Sequence, residues 1–287
     1  MYTKQTLTLK LLSPILAPYT LFHNNILTTR AIFTNSRDSF LRLIGNVINN
    51  ARSEYWYNVG YNRVNHGRYE ANAPEFNWGA RLLGDGENYV LSILGGFGYN
   101  GSNTKNNRDY KLDTLATTIG VYGRAGNLII SGFYLDGMLV FKLNTHEDNI
   151  EGIQELKYNS YGIGTNIRTG YEYKFSNIFS IESQLNLSYL RTSIEKHDNF
   201  DSIGLNFYYV TPALNLNLNP PMNWVRGVSL TTKFNIPFKE EESIYNNTSD
   251  NKKNFEFGIG VKFKIGVTAD FGYRTNNGFG FGIGAKF

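Results

Sequence analysis

The chain has 287 residues, of which 41% are hydrophobic and 15% aromatic, and its formal net charge is +4 at pH 7. This composition excludes a disordered chain, and no apolar run approaches the roughly 18 residues that a transmembrane helix needs. The complete lack of cysteine excludes disulfides and thiolate metal sites, and the scattered Lys and Arg residues predict no nucleic-acid partner. No cofactor motif and no metal-ligand spacing is found, so neither a cofactor nor a metal is predicted.

Residues 1–33 form the first segment. Lys4 and Lys10 precede the apolar stretch LLSPILAPYTLF, as in a signal peptide. Two prolines interrupt that stretch, however, and no small-residue cleavage site follows it. We therefore interpret the segment as a leader or linker, or as the remnant of a preceding domain whose last strand is TLTLKL.

Residues 34–51 contain the one convincing helix. Asn35 or Ser36 is the predicted N-cap, and Asp38 lies in the first turn. At about 14 residues and 1.5 Å per residue, the helix would be roughly 21 Å long. Its apolar positions recur at helical spacing and are Phe40, Leu43, Ile44, Val47 and Ile48.

From residue 52 onward the chain alternates between apolar and polar or small residues. In NSYGIGTNIRTGYEY (159–173), one parity is apolar or aromatic, and the other contains serine, glycine, asparagine and charged residues. The same split recurs over 181–189, 213–219 and 255–273. Because successive side chains of a strand point to opposite faces, residues 52–287 are predicted to be all-β.

Aromatic residues distinguish two architectures that share this alternation. In a soluble barrel the apolar parity faces a core, whereas in an outer-membrane barrel it faces lipid and the polar parity faces a wet lumen. Tyr and Phe cluster near the predicted strand ends, as in aromatic girdles, and glycines on the other parity leave room inside a barrel. We therefore predict a single transmembrane, antiparallel, up-and-down β-barrel.

The alternation and the turn residues predict twelve strands. Their connections alternate between short and long, as expected for short periplasmic turns and longer outside loops. The predicted strands are 53–64, 74–83, 88–100, 113–122, 128–143, 158–173, 180–193, 206–218, 224–237, 254–263, 267–274 and 279–287.

One junction decides the count. Residues 255–273 alternate without a phase break for longer than the 9–11 residues or so of one membrane strand. A three-residue loop preserves the phase, and Lys264-Ile265-Gly266 offers glycine at the left-handed position of such a loop. The prediction is therefore two strands there; without the split, the total is eleven.

Charged residues on the polar parity are predicted to line a hydrated pore. Such a lining suits either a polypeptide in transit or a general porin. The predicted pore-lining residues are Arg168, Glu172, Glu182, Glu256, Lys262 and Asp270.

The order and spacing of several segments carry a family resemblance over about residues 37–287. FNWGARLLGDGENYVLSILGGFGYNGS (76–102), TIGVYGRAGNLIISGFYLDGMLVF (118–141) and IESQLNLSYL (181–190) resemble the translocator domain of autotransporters, the type V secretion proteins. The ending FGFGIGAKF (279–287) is similar to the assembly signal of that family.

The resemblance implies a function and several partners. It implies a twelve-stranded, monomeric barrel in the outer membrane of a diderm bacterium, with the helix of 34–51 in its pore rather than on the membrane surface or at the periplasmic rim. It further implies that the barrel exports an N-terminal passenger, so that residues 1–33 include a passenger remnant. The β-barrel assembly machinery would then recognise Phe279, Phe281, Ile283 and Phe287. A porin or an adhesin barrel without a passenger is the alternative, although neither would need a pore-length helix.

Passenger self-cleavage is considered at Asn49-Asn50, since some members of that family cleave at an Asn pair within the barrel. Asn pairs also occur elsewhere in this chain, so chance explains the pair and no enzymatic activity is predicted. If cleavage occurred, lumen acids such as Glu75, Asp136 or Asp270 would position the attacking amide.

Histidines offer one further alternative, an outer-membrane protease. His66, His146 and His197 fall in predicted outside loops, where HED (146–148) and KHD (196–198) could assemble a rim site of carboxylates and His. Solvated loop tips of this composition are far commoner, and no His is predicted on the outer surface of a strand, where a barrel phospholipase would need one.

Overall fold

The computed structural model describes residues 31–33, 35–48, 50–65, 69–104, 110–150, 156–195, 203–242, 254–275 and 278–286. It is a closed antiparallel barrel in which every strand pairs with its sequence neighbours and the first pairs with the last. The strands are β1 (Tyr55–Asn65), β2 (Tyr69–Gly84), β3 (Tyr89–Thr104), β4 (Tyr110–Gly126), β5 (Phe133–Ile150), β6 (Leu156–Lys174), β7 (Phe179–Ile194), β8 (Ile203–Leu218), β9 (Val225–Glu242), β10 (Asn254–Phe263), β11 (Val267–Arg274) and β12 (Gly278–Lys286). The predicted twelve-stranded, up-and-down barrel is confirmed.

The two parities of each strand face the environments that the alternation predicts. In β6, Ser160, Asn166 and Arg168 are buried inside the barrel, whereas Ile163 and Ile167 are exposed on its outer surface. A soluble domain would place these residues the other way round, because apolar burial drives its folding. An apolar exterior around a polar interior is the arrangement of a barrel in lipid.

Within the described part of the chain, no helix is both long and apolar enough to cross a membrane.

The β10–β11 junction forms the predicted three-residue loop. Gly266 has a φ of 85°, and its N–H donates to the Phe263 carbonyl at 3.2 Å. A Cβ at this position would lie 2.7 Å from the Lys286 carbonyl oxygen, so the loop requires glycine on both counts. The split into two strands, and hence the count of twelve, is confirmed.

Several predicted strand limits are wrong. The fifth strand begins at Phe133 rather than at residue 128, because Asn127 folds the apolar stretch 128–132 into a turn: its side-chain oxygen accepts from the Gly132 N–H at 2.9 Å. At the opposite ends of the strands, the hydrogen-bonded pairing continues into residues predicted to be loops. Lys111 of β4, for example, pairs with Asn103 of β3. Hydrogen bonding across strands sets those limits, and single-strand patterns do not reveal it.

The connections at 85–88, 127–132, 175–178, 219–224 and 264–266 lie at one end of the barrel, here called the turn end. The opposite ends of the strands define the other end of the barrel, here called the loop end. β1 begins and β12 finishes at the turn end.

One helix, α1, precedes the barrel and covers residues 31–33, 35–48 and 50. At 1.5 Å per residue, the span from 31 to 48 alone is about 27 Å, longer than predicted. The predicted N-cap is wrong, because the helix already includes 31–33 and therefore begins upstream of Asn35 and Ser36. Both of these side chains instead donate or accept hydrogen bonds to the barrel wall.

Candidate functional site: the lumen and its helix

Helix α1 runs along the barrel from the loop end to the turn end. Near its start, Asn35 Nδ2 donates to Ser102 Oγ at 2.9 Å, close to the loop end of β3. After its last turn, Ala51 O accepts from Ser92 Oγ at 3.4 Å, close to the turn end of the same strand. The chain then enters β1 at Tyr55. The helix therefore passes through the lumen with its N-terminal end at the loop end.

The apolar face of α1 packs against the inner wall. Phe40, Leu43, Ile44 and Val47 are buried, Ile48 is partly buried, and all five belong to or border one core cluster. The wall contributes inward-facing apolar residues to this cluster, among which are Leu94, Val140, Leu190 and Phe207. The five helix residues predicted from spacing thus lie on its packed face, which Ile32 and Phe33 extend toward the loop end.

A wall glycine provides the space for the largest of these side chains. A Cβ on Gly164 of β6 would lie 2.4 Å from the Phe40 ring, well inside van der Waals contact. Glycine at this inward position therefore admits the helix, at the expense of strand propensity.

Glu75 of β2 holds α1 through two hydrogen bonds. Its carboxylate accepts from Arg42 Nε at 3.0 Å and from Asn46 Nδ2 at 3.2 Å. The Arg42 and Glu75 side chains are both less than 10% exposed, so water screens this ion pair little. Because the donors are one helical turn apart, the carboxylate fixes both the rotation and the height of the helix.

Polar contacts on the opposite wall complete the attachment. Lys142 Nζ of β5 donates to Ser39 Oγ at 2.8 Å, and Ser36 Oγ lies 3.1 Å from Thr192 Oγ1 of β7. The helix is thus hydrogen-bonded to β2, β3, β5 and β7, on more than one side of the barrel.

A cluster of charges lies farther toward the turn end. Asp136 accepts from Arg168 Nε at 2.8 Å and from Arg124 Nη1 at 3.2 Å. Both guanidinium groups lie over the Tyr134 ring, 3.9 and 4.9 Å from its centroid, and the Tyr134 hydroxyl donates to Glu182. These contacts join β4, β5, β6 and β7 inside the barrel.

The six predicted pore-lining residues fall into two groups. Arg168, Glu172, Glu182 and Lys262 surround one polar cavity between the turn end and Ile48 of the helix. Glu256 and Asp270 line a second space beside the helix, where Glu256 accepts from Arg274 Nε at 3.2 Å. The structure thus brings four of the six together, and Glu256 and Asp270 lie apart from them.

Sequence reasoning missed Lys142 and Arg42 as contact residues. In FKLNTHED (141–148), Lys142, Asn144, His146 and Asp148 occupy one parity, opposite the exposed Phe141 and Leu143. This alternation could have extended the strand and placed all four residues in the lumen. No sequence signal indicates which helix residue each of them meets.

The predicted outside position of His146 is wrong. His146 is buried in β5, where Nδ1 lies 2.9 Å from Thr114 Oγ1 and Nε2 lies 2.7 Å from Ser160 Oγ. The ladder with β6 carries this stretch into the barrel, so HED cannot form a site at the outer rim. His23, His66 and KHD (196–198) lie outside the described residues. Among the described residues, no group of three His, Asp or Glu side chains is placed to hold a metal.

The Asn pair is only partly described. Asn49 lies outside the described residues, and Asn50 Nδ2 donates to the Asn46 carbonyl at 2.8 Å. Of the acids considered there, Glu75 binds Arg42 and Asn46, and Asp136 binds two arginines. Asp270 is exposed to the lumen.

The last strand has one apolar face and one glycine face. Phe279, Phe281 and Ile283 are exposed on the outer surface of β12, and Phe287 lies outside the described residues. The glycines face inward, where a Cβ on Gly282 would lie 2.9 Å from an oxygen of Asp270 and one on Gly280 would overlap Asn62. The inward glycines therefore make room for polar side chains of β1 and β11.

Comparison with solved structures gives barrels of the same fold. The β domain of BrkA from Bordetella matches with a TM-score of 0.61 and 16% identity, covering 82% of this chain and 99% of that one. The transport unit of AIDA-I from Escherichia coli gives 0.62 and 14%, with 82% and 90% covered. The translocator domain of NalP from Neisseria meningitidis gives 0.63 and 12%, with 90% and 98% covered.

The sequence itself matches one family, and comparison with curated proteins gives no significant match. The family description is the autotransporter β-domain, and the match covers residues 55–209, from β1 into β8. A closed twelve-stranded barrel, a helix through its lumen and this match agree with one another. The chain belongs to the autotransporter β-domain family and is an outer-membrane translocator that exports an N-terminal passenger.

Proposed function

We propose that the passenger, joined ahead of residue 31, leaves the cell through this lumen and that α1 then remains inside and closes it. The observation that carries the proposal is the path of α1, which begins at the loop end and joins β1 at the turn end. A chain on this path has its N-terminal side outside the cell if the turns face the periplasm, as they do in outer-membrane barrels.

That path supports a proposed domain organisation. Residues 1–33 are proposed to be a passenger remnant or a leader or linker, 34–51 the linker helix, and 52–287 the translocator barrel. Since 31–33 are already helical, the linker helix extends at least three residues into the first segment.

Assembly is proposed to follow the family pattern. The β-barrel assembly machinery of a diderm bacterium would recognise the last strand through Phe279, Phe281, Ile283 and Phe287. A monomer is proposed because β1 pairs with β12, which leaves no open sheet edge for a second copy.

We also propose that the barrel is not an enzyme. Asn50, the described half of the Asn pair, has its side-chain nitrogen bonded within its own helix. If the linker does not cleave itself, a passenger stays attached to the barrel. The size of an exported fusion on a denaturing gel tests this directly.

A disulfide trap tests whether α1 stays in the lumen after export. The chain has no cysteine, so the double variant Ser36→Cys with Thr192→Cys would contain the only two thiols. Their hydroxyl oxygens are 3.1 Å apart, so oxidation of exported fusions in intact cells is expected to link most of the chains. The matched control, Ser36→Cys with Ser229→Cys, has its second thiol near the turn end of β9 and should stay reduced. Equal linking in both variants, or linking in neither, would contradict a retained helix.

A further inference from the structure

The turn end carries exposed apolar side chains within its connections. Four of the five connections have them, and Ile129 and Ile265 are the most exposed, at 80% and 82%. These turn-tip residues include Leu128, Ile129, Ile130, Phe175, Trp224 and Ile265.

Hydrogen bonds hold the β4–β5 tip in this shape. Asn127 has a φ of 55°, its N–H donates to the Phe133 carbonyl at 2.7 Å, and its side-chain oxygen accepts from Gly132. The Phe133 N–H donates to the Ile130 carbonyl at 3.1 Å. These hydrogen bonds therefore hold Leu128, Ile129 and Ile130 in their exposed position at the tip of the turn.

The exposed tips continue the lipid-facing surface of the strands. In β10 the outward parity is Phe255, Phe257, Ile259, Val261 and Phe263, and the next residue of that parity is Ile265. β10 has 10 residues, about the length that spans a bilayer core, so Ile265 lies at the edge of the apolar band. Trp224 stacks on Phe263 with ring centroids 6.0 Å apart, which extends the same surface along β9.

Charges are placed beside the apolar tips in the pattern of an interface. Arg226 lies two positions after Trp224, Lys264 lies directly before Ile265, and both are exposed. The β2–β3 turn instead carries the acidic residues Asp85 and Glu87 and no apolar residue within 85–88. Aromatic and aliphatic residues flanked by Lys or Arg suit the boundary between acyl chains and phosphates.

We propose that the apolar tips of the turn end insert into the headgroup boundary of the phospholipid leaflet, while the β2–β3 turn stays in water. Lipid is the occupant because the tips are continuous with the surface that already faces acyl chains and because exposed cations lie within two sequence positions of Trp224 and Ile265. Insertion would hold the turn-end mouth level with the leaflet surface.

Single-cysteine labelling tests this depth, since the chain has no native cysteine. The full chain carrying Ile129→Cys or Ile265→Cys is labelled with an environment-sensitive fluorophore and refolded into phosphatidylcholine vesicles. Glu87→Cys, on the polar turn of the same end, is the matched control. Heat-modifiable mobility on a gel verifies that each variant has folded, and the two apolar turns provide independent variants.

The proposal expects the label at 129 and at 265 to be blue-shifted, quenched by spin-labelled lipid and at least threefold less quenched by iodide than the label at 87. Labels at 129 and 265 that are as open to iodide as the label at 87 would overturn it. Labels shielded from iodide but not quenched by spin-labelled lipid would overturn it as well, because they would show contact between protein copies.

Discussion

At the residue scale, Glu75 is one wall side chain that holds the helix through two hydrogen bonds. Its carboxylate is the acceptor for both Arg42 and Asn46, and the Arg42 side chain is buried beside it. A hydrogen bond to a charged group contributes about 1.5–3 kcal/mol to stability. Loss of this acceptor should therefore raise the population of the displaced helix about 10- to 150-fold.

Glu75→Ala is expected to increase the open time of the pore by that factor in planar-bilayer recordings. Glu172→Ala is the matched control, because Glu172 also faces the lumen but accepts from Ser180 rather than from α1. Equal open times in the two variants would mean that Glu75 does not hold the helix.

The β2–β3 turn predicts a pH dependence outside the membrane-spanning strands. Hydrogen bonds to Asp85 from the Asn88 side chain and from the backbone N–H groups of Glu87, Asn88 and Tyr89 lower its pKa from 3.8 to about 2. Because the folded-state pKa is depressed, this stabilisation is fully present above about pH 4 and is lost as the pH falls toward 2.

Asp85→Asn should therefore lower the temperature of heat modification at pH 7, with a difference from the unsubstituted protein that shrinks by pH 2. Heat-modification curves at the two pH values measure this. A difference that is the same at both would show that the charge of Asp85 does not stabilise the turn.

At the scale of the element, α1 and β6 fit together through Phe40 and Gly164. The added methyl group of Gly164→Ala would overlap the Phe40 ring, so this variant is expected to lose about 1–3 kcal/mol of unfolding free energy. Gly98→Ala, whose added Cβ would meet its neighbours at 3.8 Å or more, should be close to neutral.

Phe40→Leu should relieve part of the loss caused by Gly164→Ala, which gives a double-mutant cycle with a coupling above about 0.5 kcal/mol. Urea titrations in detergent measure the unfolding free energies of the four refolded proteins in the cycle: the unsubstituted barrel, the two single variants and the double variant. Additive effects would show that the two residues do not share the contact.

The strands also show what a sequence reveals and what it does not. Local alternation predicted the faces of β6, β7 and β10, and Gly266, whose φ is positive in the structure, predicted the loop at 264–266. Both signals lie within a few residues of the feature that they predict. The turn at 128–132 was missed because Leu128, Ile129 and Ile130 have strand-forming side chains, whereas the Asn127 side chain closes the loop.

Contacts across the lumen could not be predicted. Glu75 meets Arg42, and Lys142 meets Ser39 103 positions away, through the rotation and height of α1 in the barrel. Alternation assigns a side chain to the interior but does not give its partner, because the rotation and height of α1 in the lumen decide which helix residue each wall residue meets.

At the scale of the whole molecule, three features act together: the closed sheet, the apolar exterior and the helix through the lumen. The barrel satisfies its backbone in lipid by closing β1 on β12, and its polar interior is the proposed route of the passenger. The direction of α1 sets the direction of that route, so that the N-terminal side leaves at the loop end.

Surface exposure of a passenger tests this direction of export most directly. A signal peptide and a small folded reporter are placed ahead of residue 1, the fusion is expressed in a diderm bacterium, and protease is added to intact cells. The predicted result is that the reporter is removed while the barrel persists in the outer membrane. A reporter that stays protected on a barrel that is folded, as judged by its heat-modifiable mobility, would contradict export and would favour a porin or an adhesin.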